Sequence, residues 1–185
     1  MRARLGEPDP EWAEAATRAA AARLVALSEY AKARRVALYA ALPNELGTQP
    51  LFTAVRAAGK AALFPRINPE RRVLQFIAAA RWEELALGRY GVREPPAGIP
   101  VPLEEGDLVI VPGLAFDAAG HRLGRGAGWF DRTFPCTDRP GPLLIGYAYE
   151  RQVVESVPSG PTDRCVDWIV TERAARRASA AGRGK

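Results

Sequence analysis

Histidine is almost missing from this 185-residue chain, which has only His121, and cysteine is scarce, with Cys136 and Cys165 outside any CxxC spacing. Two cysteines make no disulfide framework. A zinc site of the usual His and Cys ligands would be short of donors. The same scarcity argues against Ser/His/Asp and Cys/His nucleophiles, and no GxSxG elbow is present. His121 is assigned no catalytic role. Long apolar runs are missing too: the stretch Leu108 to Pro112 is of strand length, far too short to span a bilayer. The N-terminus lacks the basic stretch, apolar core and cleavage site of a signal peptide. The expected location is cytoplasmic, with no membrane partner. Chemistry is left to carboxylates, guanidinium groups, backbone amides and a hard metal ion.

What is present is the composition of a globular protein, 48% hydrophobic and 25% charged. No linker or internal repeat divides the chain, and 185 residues suffice for one domain with its own core. That domain is expected over residues 1–172, followed by a basic, flexible tail over 173–185. The net charge of +5 points to anionic partners. Part of the excess sits in the tail, at Arg173, Arg176, Arg177, Arg183 and Lys185. Arginine outnumbers lysine 23 to 3 by count of the sequence. No interleaving of basic and aromatic residues accompanies the charge, so nucleic acid is not expected as a partner. A monomer is favoured.

Asp9-Pro10 reads as an N-cap followed by proline at the first helical position. Trp12, Ala16, Ala20, Leu24 and Leu27 then recur at helical spacing. Val36 to Leu42 reads as a strand, followed by the polar turn Pro43-Asn44-Glu45. Leu51 to Ala58 is a short helix closed by Gly59. Ala61 to Pro65 and Val73 to Ile77 are further strands, and proline-rich Arg93 to Pro102 is an extended loop. The continuous apolar run Asp107 to Pro112 fits a strand buried on both faces. Leu143 to Ala148 and Cys165 to Val170 complete the set. Strands alternating with helices predict an α/β layered fold around a mostly parallel sheet.

From Val109 the chain reads VIVPGLAFDAAGHRLGRGAGWFDRTF. Three glycines at alternate positions, Gly124, Gly126 and Gly128, follow a buried strand and precede what reads as the first turn of a helix. Such a loop can aim backbone N–H groups at an anion, with the helix dipole behind them. Arg122, Arg125 and Arg132 flank it with charge suited to phosphate or carboxylate. It is neither a Walker A loop nor a Rossmann GxGxxG. A solvated tight turn is the plainer alternative.

The run PGLAFDAAGHRLGRGAGWFDR resembles the signature of 5-formyltetrahydrofolate cyclo-ligases. Three more stretches resemble that family in the same order: VALYAALPNELGT, GVREPP and VPSGPTDRCVDWIVTE. The resemblance implies a three-layer α/β sandwich related to sugar-phosphate isomerase and CoA-transferase folds. It implies ATP-dependent closure of 5-formyltetrahydrofolate to 5,10-methenyltetrahydrofolate, with magnesium as cofactor. The formyl oxygen would attack the γ-phosphate, and the neighbouring folate amine would then close the ring and release phosphate. No covalent enzyme intermediate is needed, which suits a chain without an activated nucleophile.

The resemblance also implies roles. Arg122, Leu123, Gly124, Arg125, Gly126, Ala127, Gly128, Trp129 and Phe130 would bind ATP, with Arg125 catalytic. Ala40, Glu45, Arg125, Gly126, Ala127, Gly128 and Trp129 would bind folate, and Asp131 and Asp163 would bind magnesium. Plainer readings stand beside these: core packing for Trp129, Phe130 and Ala40, a helix cap or an Arg132 partner for Asp131, a loop end for Asp163. Asp117 reads as a turn residue, and Asp167 has a weaker claim to metal. Ala127 stands where many members have lysine, and Trp129-Phe130 replace a tyrosine pair. Members open with a basic Lys-x-x-Leu-Arg helix that helps bind ATP. Here 44 residues precede Glu45 and the opening is Met1-Arg2-Ala3-Arg4-Leu5. Arg2 and Arg4 are the candidates to stand in for that cation, or the sequence starts inside the gene; either way a handicap in ATP binding that grows with salt is expected. Two rival readings keep the fold: a phosphate-binding isomerase or transferase relative, and a non-catalytic folate- or nucleotide-binding homologue.

Overall fold

The computed structural model describes residues 8–136, 140–160 and 163–179. Its helices are α1 (Pro10–Val25), α2 (Ser28–Lys32), α3 (Gln49–Ala57) and α4 (Trp129–Thr133). Its strands are β1 (Arg35–Ala37), β2 (Ala61–Asn68), β3 (Val73–Ala78), β4 (Ala86–Leu87), β5 (Arg93–Glu94), β6 (Leu108–Val111), β7 (Ala115–Phe116), β8 (Arg122–Leu123), β9 (Leu143–Tyr147), β10 (Trp168–Val170) and β11 (Ala175–Arg177). Short 3-10 turns cover Trp82–Glu84, Arg89–Gly91 and Glu150–Gln152. Seven strands form one sheet in the order β11-β10-β9-β6-β1-β2-β3. The five central strands are parallel, and the edge strands β3 and β11 are antiparallel to their neighbours. Two small hairpins, β4–β5 and β7–β8, stand apart from it.

The expected α/β sheet is present, and its strands alternate as a sheet covered on both faces must. Val36, Ile110, Ile145 and Val170 point to one face, where they pack with Ala16, Ala20 and Leu24 of α1 and Leu51, Phe52 and Val55 of α3. Ala37, Val109, Val111, Leu144 and Ile169 point to the other, which is covered by Phe116 of β7, Trp129 and Phe130 of α4, and Val101 and Leu103. The second cover is thus one short helix, a hairpin and loops. Within α1 the periodic face is buried except at its start. Trp12 is exposed and stacks on Tyr149 with ring centroids 5.2 Å apart. The Asp9 carboxylate accepts the Trp12 N–H, as the N-cap reading requires.

Two expectations change. The strand read as Val36 to Leu42 leaves the ladder after Ala37, apart from one Leu38 N–H to Leu63 carbonyl bond. Residues Leu38 to Ala40 stay buried, so hydrophobicity persisted where pairing did not. The tail expected from residue 173 begins as structure: Ala175–Arg177 pairs with β10. Arg176 forms a two-point ion pair with Glu150, at 2.6 and 2.9 Å. Arginines on an edge strand discourage further pairing, which suits this position. Residues 1–7, including Arg2 and Arg4, and residues 180–185 lie outside the described residues. Among the described residues no helix is long and apolar enough to cross a membrane.

Strands β1 and β6 meet at the middle of the sheet and are joined at their starts by a planar fork. Arg35 Nε and Nη2 donate to the two oxygens of Asp107 at 2.8 and 2.7 Å. The Asp107 side chain is only 5% exposed, so losing the guanidinium would strand a desolvated carboxylate. Arg35→Leu is expected to lower unfolding free energy by about 1.5–3 kcal/mol. Arg35→Lys should recover only part of this, because a point charge lacks the fork. Urea denaturation with intact cooperativity is the check, and an unchanged Arg35→Leu midpoint would contradict the assignment.

Candidate functional site

The sheet sets the site's position. From β1 the chain moves outward to β2 and β3, then returns to β6 on the other side of β1 and continues through β9 to β10. The order therefore reverses between β1 and β6. Loops leaving the carboxyl ends of two such strands diverge to opposite sides, which opens a crevice for ligands. The loop after β1 carries Asn44 and Glu45. The loop after β6 runs through the β7–β8 hairpin into Gly124–Gly128.

These two loops meet. Arg125 Nη2 donates to Glu45 Oε1 at 3.0 Å and to Asn44 Oδ1 at 3.1 Å, and its Nε reaches Glu45 Oε1 at 3.3 Å. Eighty residues separate the partners in sequence. Glu45 is well held: its Oε2 accepts the Leu42 N–H at 3.0 Å, and its carbonyl accepts the Tyr149 hydroxyl at 3.4 Å. Its side chain is 11% exposed, whereas that of Arg125 is 46% exposed. A fixed, half-buried acceptor thus faces a cation that remains open to solvent.

Arg122 is placed differently. Its side chain is 7% exposed, lies over the Phe130 ring and donates to Asp131 Oδ1 at 2.6 Å. It lies three positions before Arg125, yet it points inward and ties β8 to α4. Arg132 is also structural: it donates to the Arg72 carbonyl at 2.7 Å and the Ala127 carbonyl at 2.8 Å, and lies over Trp129. Gly128 caps α4 in a left-handed conformation, φ 64°, which any side chain would resist. Because α4 has five residues, its dipole is small, and the loop's own N–H groups must supply most of the field.

Other expected residues scatter. Leu123, Gly126 and Ala127 are exposed on the loop, while Gly124, Trp129 and Phe130 are half-buried. Trp129 and Phe130 pack against the sheet, and the Trp129 indole N–H is buried with no bond among the described residues. Ala40 is enclosed in the core on the helix-covered face. Asp163 is exposed and accepts the Gly160 N–H at 2.8 Å. Among the described residues no hydrogen bond or ion pair joins it to Asp131. Asn44, Tyr149 and Gln152 were not singled out from sequence. Gln152 donates to the Gly113 carbonyl at 2.7 Å and accepts the Tyr149 N–H, so it binds the loop after β9 to the loop after β6. Asn44 had a signal, its place beside Glu45 in a polar turn. Tyr149 and Gln152 had none beyond following an apolar strand.

The family description of 5-formyltetrahydrofolate cyclo-ligases matches residues 1–172. The 5-formyltetrahydrofolate cyclo-ligase of Escherichia coli (strain K12) is 32% identical over 165 residues, covering 88% of this chain and 91% of the relative. The solved structure of Aquifex aeolicus 5,10-methenyltetrahydrofolate synthetase is similar with a TM-score of 0.79 and 32% identity, over 96% of this chain and 88% of that one. The Mycoplasma pneumoniae 5,10-methenyltetrahydrofolate synthetase shares the fold at a TM-score of 0.67 and 19% identity, over 89% and 90% of the two chains.

The two arginines can be told apart by stability. Arg122→Gln removes an inward strut and is expected to cost about 1–3 kcal/mol. Arg125→Gln, at an exposed pair, should stay within about 1 kcal/mol of wild type. Equal losses in chemical denaturation would show that both arginines serve the fold.

Proposed function

The chain belongs to the 5-formyltetrahydrofolate cyclo-ligase family and is a ligase, and on that premise we propose that it activates the formyl oxygen of 5-formyltetrahydrofolate with ATP at the Arg125 loop. The observation that carries the assignment of residues is the Arg125–Glu45 pair. One partner suits phosphate and the other suits a pterin, and they lie within a hydrogen bond of each other.

Glu45 is the folate acceptor. Its carboxylate offers two oxygens to the N–H and amino groups of a pterin edge, and Leu42 and Tyr149 hold it in place. Arg125 is the phosphate donor. A phosphoryl group at the loop competes with Glu45 for the guanidinium fork, and Arg125 then neutralises charge on the group as the formyl oxygen bonds to the γ-phosphorus, its bond to the β-phosphate oxygen breaks and ADP leaves. In this reading the N–H groups of the Gly124–Gly128 loop donate to the same oxygens. Ring closure follows when the neighbouring folate amine attacks the formyl carbon and phosphate departs. Positioning of the two substrates supplies much of the acceleration. Ala127 brings no charge to the loop, so the burden falls on Arg125.

Magnesium fits the donors in kind. It uses one or two carboxylates and takes its other positions from phosphate oxygens and water. Among the described residues no three His, Cys, Asp or Glu side chains gather to hold a metal by themselves. Asp131 and Asp163 would hold the cation, which would neutralise nucleotide charge. Arg122, bonded to Asp131 Oδ1 at 2.6 Å, orients that carboxylate for the task.

The assay is appearance of methenyltetrahydrofolate absorbance from 5-formyltetrahydrofolate, with and without ATP and magnesium. Product is expected only with both, with ADP and phosphate released in step. Product without ATP would favour an isomerase or transferase relative, and ligand binding without turnover a non-catalytic homologue. Arg125→Ala is expected to lower turnover by about 10²-fold or more, with Arg125→Lys restoring part. Asp131→Asn and Asp163→Asn should each raise the magnesium requirement. Wild-type magnesium dependence in both would remove them from the metal site.

A further inference from the structure

The turn between β7 and β8 is built on one carboxylate. Asp117 is 4% exposed. Its Oδ1 accepts the N–H groups of Ala119 and His121, both at 3.0 Å. Its Oδ2 accepts the Val157 N–H at 2.9 Å and meets His121 Nδ1 at 2.9 Å. Burial pushes this carboxyl up, but the Val157 N–H and the His121 bonds hold it below the ordinary carboxylate range. A local turn needs only the Ala119 and His121 bonds. The Val157 bond comes from 40 residues away.

The same turn makes a second long-range bond. The Val166 N–H donates to the Gly120 carbonyl at 2.9 Å. Val157 and Val166 flank Asp163 in the chain, six residues before it and three after. The hairpin that delivers Arg122 and the glycine loop from its outgoing strand therefore grips both flanks of Asp163 with its turn.

We propose that Asp117 is a positioning residue for the ligase reaction, fixing Asp163 relative to the Arg122–Asp131 pair so that both carboxylates meet one nucleotide-bound cation. This rests on the reading of Asp131 and Asp163 as the magnesium pair. Asp117 touches neither substrate; it acts through the backbone of Val157. The task needs a carboxylate, because asparagine has one acceptor oxygen and an NH₂ group. Asp117→Asn must set that NH₂ against either the Val157 N–H or the turn's own N–H groups.

The test compares Asp117→Asn, Asp163→Asn and the double variant by two measurements other than turnover. One is amide hydrogen exchange at Val157 and Val166; the other is the magnesium concentration needed for half-maximal ADP binding by calorimetry. In Asp117→Asn, Val157 exchange is expected to accelerate about tenfold or more, and the magnesium requirement to rise several-fold. The turnover number should fall while the KM for 5-formyltetrahydrofolate holds within about twofold, since the Glu45 side is untouched. The double variant should be no worse than Asp163→Asn, because both changes act through one side chain. Should Asp117→Asn not fold, Asp117→Ser keeps a short acceptor for the turn but cannot reach Val157, and the same readings apply. Additive losses in the double variant overturn the proposal, as does faster Val157 exchange with an unchanged magnesium requirement. If Asp163→Asn alone leaves that requirement unchanged, the metal reading itself has failed, and the proposal falls with it.

Discussion

The parallel pairing of β1 with β6 is the constraint from which the site follows. Val36 lies opposite Leu108 and Ala37 opposite Val109, although about seventy residues separate them. Parallel strands this distant in sequence must overcome a large loop-closure entropy. Burial of both faces offsets that cost, and the Arg35–Asp107 fork holds the two strand starts together. Because the chain departs from β1 in one direction and from β6 in the other, their carboxyl ends open on a shared crevice. Glu45 and Arg125 occupy that crevice because their loops leave from those ends.

Around this junction most of the arginines brace backbone, and one faces the crevice. Arg35, Arg122, Arg132 and Arg176 each make a fork or brace that holds backbone in place. Among positions 122, 125, 132 and 176, Arg125 alone is both substantially exposed and paired across the crevice to the half-buried Glu45. The guanidinium plane suits both tasks, since it can donate in two directions and still pack on a ring. The chain relies on this, with Arg122 over Phe130 and Arg132 over Trp129. The arginines flanking the glycine loop thus resolve into two struts, Arg122 and Arg132, and one cation, Arg125, paired across the crevice.

Different parts of the site differed in how much the sequence revealed. The glycine loop was legible because alternate glycines after a buried strand leave few other backbone solutions. Glu45 was legible through resemblance alone, since a glutamate in a polar turn carries no local mark. Arg122 and Arg125 read alike in sequence, both being arginines beside glycine, and only packing separated them. The tail beyond residue 173 misled because its charge suggested solvation; the carboxylate that orders it, Glu150, lies in another segment. The β1 strand was read five residues past its end at Ala37, because Leu38 to Ala40 are as buried as strand residues while making other bonds.

The sequence by itself determined the α/β class, the alternation that buries both faces of the sheet, the glycine-rich loop at Gly124–Gly128 and membership of a ligase family. Those properties reside in local periodicity, in backbone freedom and in short motifs, all of which are written along the chain. Tertiary structure decided which arginine faces the crevice, that Glu45 meets Arg125, and that a turn carboxylate at Asp117 reaches Val157. The two contacts span 80 and 40 residues of chain, and no local pattern encodes them. Such contacts exist only once the order of strands in the sheet has brought the loops to one edge.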